Sequence, residues 1–194
     1  MSHPRLFIAV ALCSITLAGC GSAEATKADE GSSPVHTVSA ATLTPGDPVP
    51  APVGPVVLTV SGAIATTNAG PTLQFDMATL ERLGLVEYKI DDRLAEGRVA
   101  TFRGVLMERI LAVAGARTGA TTLRTTALND YKVSIPVSDV TASPVLVAST
   151  VDGQRMPVDR FGPLRTIYPY GSFGLEPPEA DEKLIWQLAD IEVT

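Results

Sequence analysis

Both cysteines of this chain, Cys13 and Cys20, lie in its first twenty residues, and its two histidines are His3 and His36. Whatever folds beyond residue 36 must do so without a covalent cross-link between cysteines. It has no disulfide and no thiolate or imidazole to offer a metal. The same absence removes nucleophilic machinery of the Ser-His-Asp and Cys-His kinds, whose base is an imidazole, and zinc sites built from Cys and His. Carboxylates are left as metal donors, and neither EF-hand spacing nor an HExxH motif is present.

The start of the chain has a different logic. Arg5 precedes an apolar run from Leu6 to Leu12, and Leu17-Ala18-Gly19-Cys20 closes the segment with small residues. Residues 1–19 thus read as a secretory signal. The segment resembles a bacterial lipoprotein signal, in which Cys20 becomes the N-terminus and carries lipid. The apolar run is shorter than the ~20 residues that span a bilayer. Gly21 rather than Asp follows the cysteine, which favours the outer membrane, so the expected location is extracytoplasmic and lipid-anchored. Residues 20–55 are rich in Ala, Gly, Ser, Thr and Pro and poor in large apolar side chains. Such a stretch buries too little surface to order itself; it is expected to be a disordered tether reaching roughly 30 Å.

Residues 56–194 are expected to form one domain. Val56–Val60, Val86–Ile90, Arg98–Phe102, Thr121–Thr126, Lys132–Ile135, Val145–Thr150, Leu164–Tyr168 and Ile185–Val193 have strand character. Asp76 is placed to cap a short helix. Val105–Ala114 has helical spacing, with Leu106, Ile110 and Val113 on one face and Gly115 as the stop. Asp152-Gly153 suits a hairpin turn. Many short strands with two helices predict an α+β fold, mixed and sheet-rich. The net charge of −6 argues against nucleic acid as a partner, since phosphate binding concentrates Lys and Arg.

Three stretches hold candidate functional side chains. Asn129-Asp130 is turn chemistry that sets Tyr131 at a strand mouth. Arg160-Phe161-Gly162-Pro163-Leu164-Arg165 bends at Gly-Pro and projects Arg165 from a strand start, where a guanidinium suits two-pronged binding of phosphate or carboxylate. Arg103 precedes the second helix, near an N-terminus where anions bind. The alternative for each arginine is an ion pair with a surface carboxylate. Tyr168 and Tyr170 are expected to pack.

These stretches, taken in order, resemble the molybdopterin-binding domain of sulfite-oxidase-type oxidoreductases. The likeness runs through Phe102-Arg103-Gly104-Val105, Tyr131-Lys132-Val133-Ser134-Ile135-Pro136, Val145-Leu146-Val147-Ala148 with Asp152-Gly153-Gln154-Arg155-Met156-Pro157, Gly162-Pro163-Leu164-Arg165 with Ile167-Tyr168-Pro169, and Trp186. It implies that fold and a pterin-type cofactor, with Tyr131 at the metal-oxo site and Arg165 at the pterin's terminal phosphate. It puts Arg160, in the place of a family histidine, and Arg165 around one cleft with Tyr131, and Arg103 becomes a further cofactor contact. The family's metal-binding Cys would fall among Lys89, Ile90, Asp91 and Asp92, and no thiolate is there. The two aspartates are expected to sit in a solvated turn, and bound molybdenum is not expected. The pterin-contacting Lys of the family corresponds to Ile185. The function expected is therefore a tethered oxidoreductase-like domain binding pterin or a related small anion. The alternative is a metal-free, non-catalytic module that keeps the fold and senses a ligand or binds a periplasmic protein.

Overall fold

A computed structural model describes residues 34–92, 97–169 and 177–194. Cys20, the leader, the first part of the tether and Tyr170 lie outside the described residues. The elements run β1 (His36–Ser39), β2 (Val56–Gly62), β3 (Leu73–Asp76), α1 (Met77–Glu81), β4 (Leu85–Asp92), β5 (Arg98–Leu106), α2 (Met107–Ala114), β6 (Thr122–Ala127), β7 (Lys132–Pro136), α3 (Val137–Ala142), β8 (Leu146–Val151), β9 (Gln154–Arg155), a 3-10 turn (Val158–Arg160), β10 (Arg165–Ile167), α4 (Pro177–Asp181) and β11 (Leu188–Val193). The α+β, sheet-rich architecture expected from the strand pattern is present.

Two sheets share one apolar core. The first has the order β1-β4-β5-β8-β10, all antiparallel, with β9 hairpinned onto β8 through Asp152-Gly153. The second has the order β3-β2-β11-β6-β7, and within it β2 and β11 run parallel. The period of two decides what each strand buries. Val86, Tyr88 and Ile90 of β4 point inward, and Asp92 continues the same face. On β5, Ala100 and Phe102 are buried while Arg103, on the opposite face, is only half-buried.

The expected second helix starts two residues late. Val105 and Leu106 pair with Val147 and Leu146 and so extend β5. From Met107 the burial of Met107, Ile110, Leu111 and Ala114 is helical, and Gly115, left-handed at φ 61°, ends the helix.

Part of the stretch expected to be a disordered tether belongs to the fold instead. Residues 34–55 lie against the domain: β1 pairs with β4, Leu43 and Val49 are buried, and the Thr42 and Leu43 amides both donate to the Arg82 carbonyl. Two isolated apolar anchors and a strand edge suffice to dock a segment whose average composition is that of a linker.

Asp76 fastens this segment from the other side. Its carboxylate caps α1 by accepting from the Thr79 amide at 2.8 Å, and it also accepts from the Val53 and Gly54 amides at 3.0 Å. The Thr79 bonds first, then that from Gly54, hold its pKa down at about 2, against about 3.9 in an unfolded chain. A depressed carboxylate contributes stability above its unfolded pKa and loses it as pH falls through the folded value. Asp76→Ala is expected to cost about 2 kcal/mol at neutral pH, the upper end for a lost helix cap. The gap between variant and wild type should close as pH falls from 4 towards 2. Urea titrations across that range check this; a gap independent of pH would contradict it.

Candidate functional site

The centre of the site is an ion pair between the ends of two strands. Asp92 reaches the interior because it continues the buried face of β4. Arg165 opens β10, a strand buried along its whole length. Their side chains are 4% and 3% exposed. Arg165 Nη1 donates to Asp92 Oδ2 at 3.0 Å and Nη2 donates to Oδ1, so the fork meets the carboxylate at both oxygens. The Tyr88 hydroxyl ties the same two strands by donating to the Ile167 carbonyl at 3.0 Å, and burial pushes its pKa up.

Aromatic rings close around the guanidinium. Its carbon lies 5.2 Å from the centre of the Phe102 ring, 5.6 Å from Phe161 and 5.8 Å from Trp186. These distances are within reach of cation–π attraction. Phe161 and Trp186 touch each other, with ring centres 4.6 Å apart.

Two cavities flank this core and share Phe161 as a wall. The smaller, about 120 Å³, is edged by Asp92, Gln154, Arg155, Arg160 and Arg165. Arg155 is engaged by Glu81. The larger, about 510 Å³, is edged by Tyr131, Asp159, Phe161, Asp181, Trp186 and Gln187, among others.

The single cleft expected for Tyr131, Arg160 and Arg165 is therefore divided. Arg160 and Arg165 edge the small cavity and Tyr131 edges the large one, with Phe161 between them. Arg165 is no free anion clamp; the Asp92 carboxylate at the end of β4 already occupies its fork. Asp92, expected in a solvated turn, is that partner and is buried. Arg103 edges neither described cavity. It stands opposite Glu87 across β4 and β5 and donates to it from Nε at 3.0 Å and Nη2 at 2.8 Å. The strand period turned it away from Phe102, and the helix start it was to serve lies at Met107. Tyr131 is where the turn puts it, just before β7, and is 56% exposed. Tyr168, expected to pack, is wholly buried. Among the described residues no three of His, Cys, Asp and Glu gather as metal ligands would.

Sequence reasoning missed the part played by Asp92, Phe161 and Gln187. Asp92 was legible in principle, as the next even position after Val86, Tyr88 and Ile90. Phe161 and Gln187 take left-handed backbone conformations, φ 69° and 55°, which no sequence signal announced.

Comparison with known proteins adds the following. The family model described as the oxidoreductase molybdopterin binding domain matches residues 74–175. Among solved structures, the sulfane dehydrogenase SoxCD from Paracoccus pantotrophus superposes with a TM-score of 0.53 at 16% identity, over 70% of this chain and 37% of that one. At that identity the likeness is one of fold, and the chain spans little more than a third of the dehydrogenase. No curated protein matches the sequence significantly. With over half of its length matched by the family model, and with the sheet-rich fold of sulfite-oxidase type, this chain belongs to the oxidoreductase molybdopterin-binding domain family.

Proposed function

We propose that this chain is a metal-free member of its family: an extracytoplasmic ligand-binding module, held to a membrane by lipid on Cys20. The observation that carries the reading is the Asp92–Arg165 pair. By the resemblance, the metal-binding thiolate would stand at about residues 89–92 and the pterin-phosphate arginine at residue 165. Here the two places neutralise each other.

The donor set does not fit a molybdenum-pterin group. A soft thiolate is replaced by hard carboxylate oxygens, and both oxygens of Asp92 are taken by Arg165. The cavity beside them, about 120 Å³, is well under the about 300 Å³ at which pockets for drug-sized ligands begin. It has room for a small oxyanion at Arg160, and that is the anionic ligand this reading assigns to it. No step of catalysis is derived through the absent group.

The test is the full chain made in a host that synthesises the molybdenum cofactor. The protein is expected in the membrane fraction, and Cys20→Ala is expected to release it. The purified protein should carry molybdenum far below one atom per chain and give no pterin fluorescence after acid release. Near-stoichiometric molybdenum would overturn the metal-free reading and make Asp91 and Asp92 the first residues to substitute.

A further inference from the structure

The larger cavity has a chemistry of its own, independent of the cofactor question. Three aromatic side chains edge it: Tyr131, Phe161 and Trp186. Tyr131 and Trp186 are 56% and 37% exposed, so both present ring surface to a ligand. Asp159 and Asp181 stand at the same edge, and among the described residues that line the cavity none is basic. Asp159 lines this cavity and its neighbour Arg160 lines the small one.

The walls are held in costly backbone shapes. Phe161 and Gln187 line the cavity with φ of 69° and 55°, and Asp130, at φ 65°, sits between the lining residues Asn129 and Tyr131. Left-handed residues other than glycine gather at functional sites, where surrounding structure holds them in place. That structure is visible here. The Gln187 amide donates to the Phe161 carbonyl at 3.0 Å, and the Gln187 carbonyl accepts from the Leu128 amide at 2.9 Å. The Gln187 side chain donates to the Val158 carbonyl at 2.7 Å. The three loops that bear Tyr131, Phe161 and Trp186 are thus bonded to one another.

Aromatic faces with carboxylates beside them attract organic cations. The Arg165 guanidinium already lies 5.6 Å and 5.8 Å from the Phe161 and Trp186 ring centres, but Asp92 matches its charge in the buried pair, so the rings do not carry an unbalanced positive group. At about 510 Å³ the cavity is within the range of small-molecule sites. We propose that it binds a small organic ammonium cation, with the charged head against Tyr131, Phe161 and Trp186 and Asp159 supplying the countercharge.

Trp186 is the sole tryptophan of the chain, so its emission reports on the cavity directly. Choline is the probe, and 3,3-dimethylbutan-1-ol, the same shape without charge, is the comparison. Choline is expected to change Trp186 emission saturably, and the alcohol to bind at least about tenfold more weakly. Asp159→Asn and Tyr131→Ala should each weaken choline about three- to tenfold, while Tyr131→Phe, which keeps the ring, should bind as wild type does. Asp159 and Tyr131 are exposed, so these variants should fold, and far-ultraviolet circular dichroism confirms that. Sodium chloride at matched ionic strength should leave emission unchanged. No saturable change with choline, equal affinity for the alcohol, or Asp159→Asn or Tyr131→Ala binding choline as tightly as wild type would each overturn the proposal.

Discussion

Arg165→Ala should lower the stability of this protein by about 3–5 kcal/mol, the range for removing one partner of a buried ion pair. The loss comes less from the missing attraction than from Asp92, left charged in the interior with no partner. Arg165→Lys should recover little, because an ammonium is a point charge and cannot match both carboxylate oxygens. The double variant Asp92→Leu, Arg165→Met should return most of the stability, since a buried pair exchanged for apolar side chains of similar volume is often neutral. Arg124 and Glu192 provide the contrast. They lie 3.6 Å apart with side chains 62% and 49% exposed, and Arg124→Ala should cost under about 1 kcal/mol. Denaturant midpoints measure all four. An Arg165→Ala protein as stable as wild type would mean that the pair does not hold β4 and β10 together.

Gly104→Ala should be nearly as damaging, at about 3 kcal/mol or more, the upper end for overpacking. Pairing between β5 and β8 shifts register between Arg103 and Gly104, which stand opposite Thr150 and Ala148. At that irregularity the two backbones come so close that a Cβ on residue 104 would overlap the Val147 carbonyl oxygen and lie 2.6 Å from the Ala148 Cα. Both obstacles are main chain in the middle of a sheet, so no side chain can swing aside. Glycine in a strand interior commonly marks such a bulge or close approach. Chemical denaturation of the variant checks this, and an unchanged midpoint would show that β8 yields at little cost.

What could be read from the sequence was what local pattern determines. The strands on either side of Asp152-Gly153, the helix closing at Gly115 and the cap at Asp76 each depend on residues within one turn or one strand. The fold type was carried by several such segments occurring in order. Among the elements that escaped, two did so for reasons their own residues show. The strand Leu73–Asp76 is only four residues long and runs directly into a helix, so its signal merged with the cap. The helix Val137–Ala142 contains Val137, Val140 and Thr141, β-branched residues that favour strands. It is helical because Val140 packs inward and the Ser143 amide and hydroxyl both close back on the Asp139 carbonyl.

The site was legible in its members but not in its grouping. Tyr131, Arg160 and Arg165 all edge cavities, yet the fate of Arg165 depended on Asp92, 73 positions earlier. Which carboxylate an arginine meets is decided by sheet order, and nothing near either residue encodes that β4 and β10 converge at their ends. The docking of residues 34–55 was hidden similarly. It rests on where Leu43 and Val49 land, not on how many apolar residues surround them.

The parallel pairing of β2 and β11 gives the domain a mechanical polarity. Val56 begins one strand and Val193 ends its neighbour, so the points where the chain enters and leaves this sheet lie at opposite ends of one hydrogen-bonded ladder. Tension between those points loads the ladder along its length and shares the force among its bonds. The edge strand β1, by contrast, can peel from β4 one bond at a time. A chain drawn taut from its N-terminal side would thus surrender slack from residues 34–55 before the core bore any load.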